Sequence, residues 1–182
     1  MKNSLNSYLY PISIVPLQYT KTIKIMSDFS YEIKAGKGIS NITFGSKRDQ
    51  LKQILGEPTE KELYNATEDE DYQTEDWHYD ELETSFSFDE EDGWRLTTVA
   101  TSSPEATIKG KKLIGLSVDE TLAETENMDL GENYLEDFSE EGENQKLVSF
   151  LNAGINLWFE DDVLSEIQWS VLWSDEDTPE WP

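Results

Sequence analysis

The chain has no cysteine. Within these residues that excludes disulfides, thiolate metal centres, a cysteine nucleophile and a lipid attached through cysteine. Histidine is nearly absent as well, with His78 alone, so a histidine-rich metal site has no ligands to draw on. Basic residues are scarce, 14 Lys and Arg against 39 Asp and Glu, for a net charge of −25. Such a chain is repelled by nucleic-acid backbones and anionic membranes, and it attracts and steers cationic partners. No apolar run approaches the ~20 residues needed to span a bilayer. Aromatics are not scarce. At 12% of 182 residues they supply enough apolar surface for a folded core despite the charge.

The acid is unevenly placed. Residues 1–27 contain no Asp or Glu, whereas no basic residue occurs between Lys112 and Lys146. The apolar centre of the first segment is broken by Pro11 and Pro16 and lacks the continuous core of a signal peptide. Residues 1–27 are therefore expected to be a loose extension, with Met1 or Met26 as the natural start and a cytoplasmic location. Residues 28–173 are expected to form one domain, and 174–182 a loose acidic tail.

Residues 71 apart match repeatedly: Ser46 with Ser117, Leu51 with Leu122, Leu63 with Tyr134, Trp77 with Val148, Phe86 with Leu157 and Phe88 with Phe159. A shift of three residues between Phe88 and Leu96 then aligns Leu96 with Leu164. A near-constant offset is the mark of internal duplication, with copies at about 38–103 and 108–173. In the first copy Ser46 and Asp49 form a capping box, Leu51, Ile54 and Leu55 make an apolar stripe, and Gly56 and Pro58 stop the helix. Residues 59–71 form an acidic loop. Trp77 and Tyr79, then Phe86 and Phe88, alternate with polar residues as strands with one buried face. Asp92-Gly93 is a hairpin signal. The second copy repeats this order with a weaker helix from Ser117, carrying Val118, Leu122 and Met128, an acidic loop 132–145 and three further strands. The expected fold is α+β: two helix-βββ repeats sharing an antiparallel sheet, with both helices on one face.

Phe44-Gly45-Ser46 to Leu55-Gly56-Glu57-Pro58, followed by Trp77-His78-Tyr79, resembles the SmpA/OmlA pattern. A tandem of such units is similar to the β-lactamase inhibitor protein repeat. The likeness covers residues 38–101 and, in outline, 110–172. It implies a concave sheet that grips a protein partner.

The residues themselves offer little chemistry. A lone His without cysteine points to no catalytic triad. The runs Glu68–Asp71 and Asp89–Asp92 lack the spacing and central Gly of a calcium loop, so no metal or cofactor is expected. Trp158 is more informative. Its neighbours Leu157 and Phe159 face the core, so it projects from the opposite face, where a large aromatic is a natural anchor. Asn156, Glu166, Gln168, Ser170, Glu83, Ser85 and Ser87 share that face by alternation. These observations point to a non-enzymatic acidic binding protein, an inhibitor or immunity protein for a basic toxin or enzyme. The alternative is a nucleic-acid mimic that occupies a DNA-binding protein.

Overall fold

A computed structural model of the chain describes residues 29–65, 72–139, 144–175 and 178–182. The segment 1–27, its Met26 and the acidic run Glu68–Asp71 lie outside the described residues. Fifteen strands occur among them: β1 Glu32–Lys34, β2 Gly38–Ile39, β3 Ile42–Thr43, β4 Glu60–Tyr64, β5 Thr74–Tyr79, β6 Thr84–Asp89, β7 Arg95–Thr101, β8 Thr107–Ile108, β9 Lys111–Lys112, β10 Tyr134–Asp137, β11 Gln145–Phe150, β12 Ile155–Glu160, β13 Val163–Ser170, β14 Leu172–Asp175 and β15 Thr178–Glu180. The two α-helices among the described residues, α1 Arg48–Leu55 and α2 Val118–Thr125, are eight residues each.

The expectation of two helix-βββ repeats in an α+β fold with helices over one face is overturned. Strands account for 48% of the described residues. They form an eight-stranded sheet in the order β10-β11-β12-β13-β7-β6-β5-β4 and a five-stranded sheet in the order β3-β2-β1-β8-β9. Each half of the large sheet has four strands, because the segments expected to be acidic loops contain β4 and β10. Both are exposed at every position. An edge strand with neither face buried carries no alternating pattern to read.

The two halves meet where β13 pairs antiparallel with β7, Ile167 opposite Thr101 and Ser170 opposite Thr98. The five-stranded sheet also joins distant segments, through the parallel pairing of Ile33 with Ile108. One continuous core lies between these layers. Phe86, Phe88, Leu157 and Phe159 are fully buried in it, with Leu51 of α1 and Ile39 and Ile108 of the small sheet. Each such side chain contributes about 1.5–3 kcal/mol relative to exposure. Trp77 and Phe88 pack at 5.2 Å, Tyr79 and Phe86 edge-on at 5.6 Å. Trp169 donates its indole N–H to the Gly38 carbonyl at 3.2 Å, tying one sheet to the other.

The start of the first helix also differs from expectation. The N-cap of α1 is Lys47, not Ser46, and Gln50 rather than Asp49 reaches back to its N–H at 2.7 Å. In α2 the Ser117–Glu120 box forms as expected, the Ser117 N–H donating to Glu120 at 2.9 Å. Aligning Lys47 with Ser117 shifts the helical match by one residue. Leu51 and Leu55 of α1 then correspond to Thr121 and Thr125, which are the buried residues of α2. The tail expected to be loose is a hairpin of β14 and β15. It delivers Trp181 against the core and over Gly45.

Candidate functional site

The large sheet buries one face in the core. Its other face is polar and carries all the strand residues expected there. Reading across the strand registers, Tyr134, Ser149, Asn156, Gln168, Ala100, Ser85, His78 and Glu60 form one row spanning all eight strands. Beside it run Ser170, Thr98, Ser87, Asp76 and Glu62. On the other flank lie Glu136, Leu147, Trp158 and Glu166. None of these positions is Lys or Arg. Alternation keeps this order even though β6–β7 and β12–β13 each contain a bulge, after Ser87 and after Trp158. The bulges sit at matching points of the two halves, and in each the extra residue lies in the partner strand, so the face is preserved on both sides.

Short side chains line the middle of this face, and bulk is confined to its flanks. A depression of about 290 Å³ results, lined by His78, Asp80, Glu83, Ser85, Ser102 and Glu166 among others. Glu83 reaches it from outside the strand: it ends a 3-10 turn with a left-handed backbone, φ 49°. Glu166 is half-buried. Burial, with Glu160 and Asp76 adding repulsion, holds its carboxyl above the usual carboxylate range. Asp76 accepts from the Tyr64 hydroxyl at 3.1 Å, and its other carboxylate oxygen is buried without a partner. Burial and the Asp76 charge push the Tyr64 hydroxyl well up.

Trp158 is half-buried rather than free. Phe138 stacks on it at 6.2 Å, and Leu147 faces it across the strand pair. Its indole N–H points to the Gln168 amide oxygen at 3.5 Å. The result is an apolar platform beside an acidic depression. Phe138 escaped the sequence reading because it follows β10, an edge strand without a readable pattern.

His78 lies in the same face. Its Nδ1 is 3.0 Å from the Ser85 hydroxyl and its Nε2 is 3.8 Å from Glu62. A Ser-His-Glu line has the composition of a nucleophilic triad, but not its setting. Ser85 is the second residue of β6 and is paired on both sides, with His78 of β5 and Ala100 of β7. Backbone N–H groups of a paired central strand are engaged in the ladder and are not free to form an oxyanion hole. The line orients the imidazole at the wall of the depression.

The Asp89–Asp92 run is used locally. Asp89 accepts from the Thr74 hydroxyl at 2.6 Å, and Glu90 accepts from the Gln73 N–H at 3.2 Å. Among the described residues no group of three His, Asp or Glu side chains is placed to hold a metal ion, and no helix is long and apolar enough to cross a membrane.

No family model matches the chain, and no curated protein matches it. One solved structure, an extracellular protein containing an SCP domain from Bacillus anthracis, is similar at 16% identity with a TM-score of 0.42. The match covers 80% of this chain and 51% of that one, so the chain spans about half that protein's length.

Proposed function

We propose that this is a non-enzymatic binding protein whose open sheet face receives a basic protein partner, as an inhibitor or immunity protein does. The observation that carries this reading is the composition of the face: an aromatic platform at Trp158 beside a depression rimmed by Glu83 and Glu166, with no Lys or Arg in the three rows described above. Aromatic anchors supply contact area, and the surrounding carboxylates supply orientation and a fast, salt-sensitive encounter. The half-buried Glu166 carboxyl carries a desolvation cost that a partner's Arg or Lys would relieve. The sequence likeness to tandem SmpA/OmlA-like units favours the same use of the sheet.

The test compares immobilised wild-type protein with a Trp158→Ala/Glu166→Gln double variant in capture from the native host's lysate. Cationic proteins retained by the wild type at low salt should be released as salt rises and be missing from the variant. Equal recovery on both would remove the open face as the binding surface. A nucleic-acid mimic is the second reading. It is less favoured because Ala100, Ser85 and Ser87 occupy the middle of the face, where a mimic needs regularly spaced acids. Displacement of a captured protein by duplex DNA would favour it.

A further inference from the structure

On the core side of the large sheet, away from the open face, the two halves carry different side chains at the end of the helix. At the end of α1, Leu55 is buried in the core and the Tyr79 hydroxyl donates to the Gly56 carbonyl at 2.9 Å. This ties the end of the helix to the sheet. At the matching points of the other half stand Thr125, Phe150 and Glu126. Leucine has become threonine and tyrosine has lost its hydroxyl. Thr125, Glu126 and Phe150 line a cavity of about 340 Å³, at the lower end of the range for small-molecule sites.

The lining of this cavity has a definite chemistry. Thr125, Leu130 and Phe150 are buried and form its floor, and half-buried Leu122 forms a wall. Glu126 and Asp129 stand exposed at its mouth. Neither carboxylate has an ion-pair partner among the described residues. No Lys or Arg lines the cavity, and Lys109 donates its ammonium to the Met128 carbonyl. The Thr125 hydroxyl already donates to the Thr121 carbonyl at 2.9 Å, so it faces a ligand only as an acceptor. An apolar floor, an acceptor and two unpaired carboxylates are complementary to an apolar body bearing a positive charge, and they disfavour anions.

We propose that this cavity is a binding site for a small organic amine, with its apolar body on Leu130 and Phe150 and its ammonium facing Glu126 and Asp129. The site is separate from the open sheet face and does not depend on what that face binds.

The probe is 2-phenylethylammonium, titrated into the isotope-labelled full chain at neutral pH and followed through backbone amide shifts. Saturable shifts are expected at Leu130, Gly131 and Asn133, which line the cavity. The neutral isostere 2-phenylethanol should bind about fivefold more weakly, as two partly exposed carboxylates allow. A Glu126→Gln/Asp129→Asn variant, altered only at exposed positions, should bind the amine no better than the alcohol. Thr125→Leu restores the side chain found in the other half and should abolish saturable binding. Equal affinity for amine and alcohol in the wild type would overturn the proposal. So would the absence of saturable shifts, or full amine binding by a folded Thr125→Leu variant. If Thr125→Leu does not fold, the charge variant and the alcohol still decide.

Discussion

Trp181 lies over Gly45 so closely that a β-carbon on Gly45 would stand 3.0 Å from the indole ring. Gly45 also holds φ at +82°, a conformation other residues adopt only with strain. Gly45→Ala should therefore destabilise the fold by roughly 1–3 kcal/mol. Urea denaturation measures this, and an unchanged midpoint would mean that the hairpin holding Trp181 yields freely.

That hairpin should itself stabilise the protein. Arg95 sits over the Trp181 ring at 5.4 Å, and partly exposed contacts of this kind contribute about 0.5–1 kcal/mol before packing is counted. Removing residues 178–182 should lower the melting temperature. A truncated chain that melts with the full one would show that the tail docks without energetic consequence.

The matched positions Leu51 and Thr121 should respond in opposite directions. Both are fully buried, but the Thr121 hydroxyl has no hydrogen-bond partner. Leu51→Ala should cost roughly 2–5 kcal/mol. Thr121→Val removes an unsatisfied hydroxyl at nearly constant volume and should stabilise by roughly 1 kcal/mol. Chemical denaturation of both variants is the check. A destabilised Thr121→Val would imply a partner, such as a buried water, for that hydroxyl.

Glu166 gives a pH dependence with a definite sign. Its folded-state carboxyl is held high by burial, then by Glu160 and Asp76. Just above the ordinary carboxylate range, the folded protein therefore binds more protons than the unfolded chain. Stability contributed by this group is present at low pH and lost as pH rises through the raised value. Glu166→Gln should be more stable than the wild type at neutral pH, with the difference vanishing below about pH 4. Glu120 has the opposite sign, since hydrogen bonds from Ser117 hold its carboxyl low. Urea midpoints across this pH range test the claim, and a constant gap between variant and wild type would refute it.

With a net charge of −25, added salt should raise the melting temperature at neutral pH by screening repulsion between carboxylates. The ion pairs among the described residues are largely at the surface, such as Lys111 with Glu124 at 2.9 Å, and their screening costs little. A melting temperature that falls with sodium chloride would show that the pairs outweigh the repulsion.

The parts of the fold readable from sequence were those with one buried face. Thr84, Phe86 and Phe88 alternate with Ser85 and Ser87 because only one side of β6 meets the core, and the same rule placed Trp158 and Glu166 on the open face. Glu83 was placed there too and does line the depression, but from a turn rather than from the strand. The edge strands were unreadable because water bathes both their faces. The five-stranded sheet was hidden for another reason: its strands are two or three residues long, and one pairing joins Ile33 to Ile108, which no local window can reveal. The cap at Lys47 was missed because Ser46 is the better acceptor. Chain geometry after Gly45 prevailed over that preference, with the Gly45 N–H donating to the Leu96 carbonyl at 2.8 Å and the Leu96 N–H to Ser46.

The pairing of β13 with β7 is the one long-range seam in an otherwise local sheet. Every other pair of neighbours in it is antiparallel and consecutive in the chain. Such pairs close early because little chain entropy is lost, whereas the seam requires both halves to be formed before it brings reward. Its closure should thus set the folding rate. Substitutions at Ile167 or Val99 should slow refolding, whereas equally severe changes in the outer strands should chiefly speed unfolding.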